Sequence, residues 1–85
     1  MVSELRKIKY QYDKILKLVN EEKFDYFFAE YEVYKILDNL ILKKSLWSIL
    51  PINKNTMKSL DYLIDEVEQC HNNLIDLIDI ERKQI

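Results

Sequence analysis

At 85 residues, with 48% apolar side chains and a net charge of −2, the chain is long enough for one small core and short enough that burial is only just sufficient. It has no glycine and one proline, Pro51, which excludes tight hairpins, phosphate-cradling loops and dinucleotide-binding turns and points to helices with short connections. Cys70 stands alone, so it forms no intramolecular disulfide and reads as a small core residue in a reducing compartment; no apolar run approaches the ~20 residues of a membrane span, and "MVSELRKIKY" has no apolar export core, so a soluble cytoplasmic protein is expected.

The first helix is predicted over about residues 3–19. Leu5, Ile8, Tyr12, Ile15 and Val19 recur at steps of three and four and form one narrow stripe, with Ser3 as its N-cap. "NEEK" interrupts the pattern, and Asn20 ends one helix or caps the next.

The second helix is expected over about 21–44. It carries two apolar faces rather than one. At 100° per residue Phe24, Phe27, Phe28, Tyr31 and Tyr34 share one side and continue toward Ile41. Tyr26, Ala29, Val33, Ile36 and Leu40 share the opposite side. One of the two must meet water in a three-helix bundle unless the helix is sandwiched with both stripes internal. The aromatic side is assigned to the interior and the Tyr26, Ala29, Val33, Ile36, Leu40 side to a protein partner, which predicts that Phe27→Asp unfolds the chain and Val33→Asp does not.

The irregular "SLWSILPINKN" follows, with Pro51 biasing Leu50 away from helical geometry. Trp47, Ile49 and Leu50 are expected to fold back as a plug on the open end of the bundle. A third helix is predicted over about 55–84, starting near Asn55 or Thr56. Its seam runs Met57, Leu60, Ile64, Val67, His71, Leu74, Ile78 and Ile85, with Glu81 in register, and is widened by Leu63, Cys70 and Leu77. A stripe of that width suits contact with two neighbours, so the fold class is all-α, a three-helix antiparallel bundle forming a single domain over residues 1–85.

Charge is uneven. Residues 1–54 hold ten basic and eight acidic side chains, residues 55–85 three and seven, and no Lys or Arg lies between Lys58 and Arg82. Asp61, Asp65, Glu68, Asp76 and Asp79 give the third helix an acidic face that would repel a phosphate backbone, so direct nucleic-acid binding is not expected. The same face is either plain solvated surface or a patch that steers a basic partner. His71, with no Cys or carboxylate four residues away on its face, reads as a hydrogen-bonded core histidine. No catalytic, metal or cofactor constellation is legible. Small helical enzymes acting on anionic substrates need several inward cations, and this chain has two arginines, Arg6 and Arg82.

The run "ILKLVNEEKFDYFFAEYEVYKILDNLI", Ile15 to Ile41, resembles the FliT-type flagellar export chaperones: a leucine-rich stretch, a polar break, an aromatic and an acid at Phe24 and Asp25, paired apolar residues at Phe27 and Phe28, and a later aromatic at Tyr34. The family usually has tryptophan where Phe24 stands. "MKSLDYLIDEVEQCHNNLIDLIDIERKQI" is similar to the family's third helix, with Leu74, Leu77 and Ile78 before Arg82, one place later than in the family because Glu81 holds that slot. The resemblance implies a cytoplasmic escort that holds the C-terminal helical segment of the filament-cap protein and delivers it to the export apparatus. It also implies binding to a flagellar transcription regulator in some members, and a further C-terminal helix that covers the cargo surface and lies outside the matched stretch. Two other readings fit the residues. A small acidic phage-type inhibitor or immunity protein would use the carboxylates of the third helix, and a structural subunit would close a homodimer through the spare face.

Overall fold

The computed structural model describes residues 2–19 and 25–83, and among these all regular structure is helical: α1, Val2–Val19; α2, Tyr26–Trp47; α3, Lys54–Lys83. The molecule is elongated, 51 × 19 × 15 Å, its long axis set by the 30 residues of α3, which at ~1.5 Å each span about 45 Å. No described residue has positive φ, so the turn between α2 and α3 is made without the left-handed cap that glycine would provide.

Local chemistry explains the ends. Asp25 sits in extended geometry at φ −77°, ψ 108°, and its carboxylate accepts the Phe27 N–H at 2.9 Å and the Phe28 N–H at 3.4 Å, an N-cap that starts α2 at Tyr26 rather than at Glu21. Phe24, Asn20 and Ile85 lie outside the described residues. At its other end α2 runs on to Trp47, three residues beyond the expected limit, and stops where the Ser48 N–H donates to the Lys44 carbonyl at 3.0 Å. Asn53 caps α3: its side-chain oxygen accepts the Asn55 N–H at 2.8 Å and its carbonyl the Met57 N–H at 3.1 Å, so the helix begins at Lys54, before the expected Asn55 or Thr56. Ser3 is not a cap. Because α1 already begins at Val2, Ser3 lies inside the first turn.

The core draws on all three helices. Leu5, Ile8 and Tyr12 come from α1, Ala29, Val33, Ile36, Leu40 and Trp47 from α2, and Leu60, Leu63, Ile64, Val67, Leu74 and Ile78 from α3. The stripes expected on α1 and α3 therefore face inward over the described residues, apart from Leu77 and Glu81, which are exposed. Each fully buried Leu or Val contributes ~1.5–3 kcal/mol from apolar transfer. Glu30 meets His71 and Lys44 meets Asp61, which sets residues 30–44 of α2 beside residues 61–71 of α3. The α1 helix is tied to α2 by Glu4 and Lys43 at 2.9 Å, and to α3 by Lys9 and Glu66 at 3.3 Å.

Two expectations are corrected here. The interior face of α2 is the one assigned to a partner: Ala29, Val33 and Leu40 are 0% exposed, Ile36 is buried and Tyr26 half-buried, whereas Phe27, Phe28, Tyr31, Tyr34 and Ile41 are exposed. The reason is distance of approach. Ala29 and Val33 are short enough to let α2 lie close against its neighbours, while a row of Phe and Tyr would hold the helices apart and bury phenolic hydroxyls without partners. The end plug is also smaller than expected. Trp47 is buried because it continues the inward face of α2 seven residues after Leu40, and Ile52 packs against the core, but Ile49 is 80% exposed and Leu50 is exposed in the turn that follows.

Candidate functional site

Capping by Asp25 fixes where the helical register of α2 begins, and from there the side chains divide. Ala29, Val33, Ile36, Leu40 and Trp47 point inward, and Phe27, Tyr31, Tyr34, Ile41 and Leu42 point outward on a stripe about 170° away by projection. These five outward residues are each about half exposed, between 49% and 57%, in a chain whose other helices expose isolated apolar residues rather than a row. From Phe27 to Leu46 the stripe runs about 28 Å at ~1.5 Å per residue.

Cations already sit over two of its rings. The Lys35 ammonium lies 4.9 Å from the Tyr31 centroid and the Arg82 guanidinium 5.4 Å from the Phe27 centroid, so α3 borders the stripe at its N-terminal end. Tyr34 packs tilted against the His71 imidazole, with centroids 6.0 Å apart, and His71 Nε2 lies 2.8 Å from a Glu30 carboxylate oxygen. His71 is thus a hydrogen-bonded residue at the α2–α3 seam.

The acidic residues of α3 divide into bound and free. Asp61 is neutralised by Lys44 at 2.7 Å, which raises the lysine's pKa through that hydrogen bond and charge. Asp65, Glu68, Asp76 and Asp79 are exposed and, among the described residues, have no ion-pair partner. Glu68 shares the α2-facing flank of α3 with Asp61 and His71, whereas Asp65 lines the α1–α3 side with Tyr12, Leu16 and Glu66. Both apolar faces of α2 are legible in the sequence, but Tyr26, Ala29, Val33, Ile36 and Leu40, expected as an open surface, are the side turned into the core. Leu42 and Leu46, which prolong the exposed stripe, were readable from their spacing to Tyr31 and Tyr34.

A second concave region lies between α1 and α3. It is a groove of about 830 Å³ floored by Leu5 and Leu63 and walled by Tyr10 and Tyr62, with Arg6 and Lys58 along its rim. Lys9 crosses it to Glu66 and Asp13; burial works against its charge, but the two carboxylates outweigh that and raise its pKa. Deeper in, the Tyr12 hydroxyl donates to the Glu66 carbonyl oxygen at 3.4 Å, near Cys70. Burial pushes the Cys70 thiol up, which leaves it a poor nucleophile at neutral pH. Among the described residues no group of three or more His, Cys, Asp or Glu is placed to hold a metal ion, and no helix is long and apolar enough to cross a membrane.

Compared with protein-family models, curated proteins and solved structures, the chain matches none of them.

Proposed function

We propose that this chain is a non-catalytic protein-binding module that holds a helical segment of a partner protein on the exposed aromatic face of α2. One observation carries the reading: Phe27, Tyr31, Tyr34, Ile41 and Leu42 leave an apolar row, broken only at its middle by Asp38, half in water on a helix whose other face already fills the core. A row of that length suits the i, i+3, i+4, i+7 anchors of a helix laid alongside, and its two tyrosines tolerate both the wet and the bound state. The pairings Glu30–His71 and Lys44–Asp61, together with Lys9–Glu66, support an up-down-up antiparallel bundle as the frame that presents it.

The resemblance to FliT-type export chaperones makes the cargo specific. Phe27, Phe28 and Tyr34, which carry that resemblance, are all on the exposed face. On this reading the chain is a cytoplasmic escort, its cargo is the C-terminal helical segment of a filament-cap protein, and it hands that segment to the export apparatus. The test is fluorescence-polarisation binding of that segment, from the filament-cap protein of the source organism, to the wild type and to Tyr31→Asp. Micromolar binding lost in Tyr31→Asp at unchanged helicity is expected. Binding that survives Tyr31→Asp would move the site off α2, and a dimer by sedimentation that Tyr31→Asp dissolves would make this face a self-association surface instead.

A further inference from the structure

The charges around the exposed face are not balanced, and the imbalance selects a partner. The three lysines of α2 are each tied to an acid of this chain, Lys35 to Glu32, Lys43 to Glu4 and Lys44 to Asp61. Glu30 and Glu32 are tied as well, but two acids beside the stripe are not. Asp38 projects from its middle, one turn from Tyr34 and Leu42, and is exposed without an ion-pair partner among the described residues. Glu68 lies within the 61–71 span of α3 that runs beside residues 30–44 of α2, seven residues beyond Asp61 and three before His71 and so on their flank, and it is exposed without an ion-pair partner among the described residues. The free charge bordering the middle of the stripe is therefore negative, and the rings of Tyr31 and Phe27 already accept cations over their faces.

We infer that the helix docked on α2 is a basic amphipathic one, its apolar side on Tyr31, Tyr34 and Ile41 and its Lys or Arg flank over Asp38 and Glu68. The inference rests on the binding reading above and adds the charge of the partner to it. Apolar contact holds the complex, and the carboxylates set its orientation and exclude acidic helices.

Two labelled peptides of about 20 residues, long enough to cover the stripe, test this directly. Both carry the same Leu and Phe anchors at i, i+3, i+4 and i+7, one with lysine flanks and one with glutamate flanks. The lysine-flanked peptide is expected to bind at least about tenfold more tightly at low salt, with the preference shrinking as salt screens it. Asp38→Lys/Glu68→Lys, changed at exposed positions, is expected to erase the preference, and either change alone to reduce it about two- to fivefold. Tyr31→Asp is expected to weaken both peptides. Equal binding of the two peptides to the wild type, or a preference untouched by the Asp38→Lys/Glu68→Lys reversal, overturns the basic-partner inference and leaves the apolar site standing. Failure of both peptides to bind, or sedimentation showing that a second copy of this chain covers α2, overturns both.

Discussion

His71 Nε2 and a Glu30 carboxylate oxygen lie 2.8 Å apart, one side chain on α3 and the other on α2, with Tyr34 packed against the imidazole. The pair is largely shielded, the His71 side chain being 14% exposed and Glu30 32%, so its contribution to stability exceeds that of an open surface contact. Glu30→Ala and His71→Ala are each expected to cost about 1–2 kcal/mol in urea unfolding. The double variant should cost less than the two added together, because the second change removes a partner already lost. Strict additivity would mean that the two side chains contribute independently.

The reversed faces of α2 give a sharper test. Val33 is fully buried, so Val33→Asp places an unpartnered carboxylate in a core whose total stability is on the order of 5–15 kcal/mol, and the chain is expected to unfold. Phe27 is half in water, and Phe27→Asp is expected to shift stability by only ~0.5 kcal/mol. Helical circular dichroism of the two variants at one temperature reads the difference. Equal loss in both would mean that the two faces are alike internal.

Why the sequence showed both faces but not their order follows from these residues. Ala29, Val33, Ile36 and Leu40 repeat at three and four, and so do Phe27, Tyr31, Tyr34 and Ile41; periodicity carries no sign when both sides are apolar. What decides is the volume each neighbour allows, which depends on how closely α1 and α3 approach, a tertiary quantity. Where one side was polar, as on α1 and α3, the inward stripe was readable almost residue by residue. The acidity of α3 was equally plain in sequence. That Asp61 is consumed by Lys44 while Asp65 and Glu68 stay free was not, because the pairing joins residues 17 apart across two helices.

Trp47 closes the inward face of α2, 7% exposed, with the Lys43 ammonium 5.9 Å from its ring centroid. Its emission is expected to be blue-shifted from that of free tryptophan and slow to quench with acrylamide. Trp47→Ala should cost about 3–5 kcal/mol, as for other large aromatic truncations. Ile49→Ala, two residues on but exposed, should change stability by less than ~0.5 kcal/mol. A Trp47 spectrum like that of the urea-unfolded chain would contradict the buried position.

The last expectation concerns alkaline pH and comes from the seam between α1 and α3. Burial raises the pKa of Cys70, and burial first, then the hydrogen bond with Cys70, raises that of Tyr12. Both groups are neutral in the folded chain at pH 7, and both lose protons more readily once unfolded, at about 8.5 for a free thiol and about 10 for a free phenol. Below those values folded and unfolded states bind the same protons at these sites, and their contribution to stability is fully present. Above about pH 8.5 the unfolded thiol ionises first, the folded state holds more protons, and stability falls as pH rises, more steeply past about pH 10 when the unfolded phenol follows. Urea midpoints of the wild type measured from pH 7 to 10.5 should therefore decline. Cys70→Ala should remove the first part of the decline and Tyr12→Phe the second, the latter at a cost of about 0.5–1.5 kcal/mol near neutrality for the hydrogen bond to the Glu66 carbonyl. Maleimide labelling of Cys70 in the native protein should be slow at pH 7 and keep rising past the pH at which a free thiol levels off. A native labelling rate equal to that of the unfolded chain, or a midpoint flat to pH 10.5, would show that Tyr12 and Cys70 stand in water rather than in the seam.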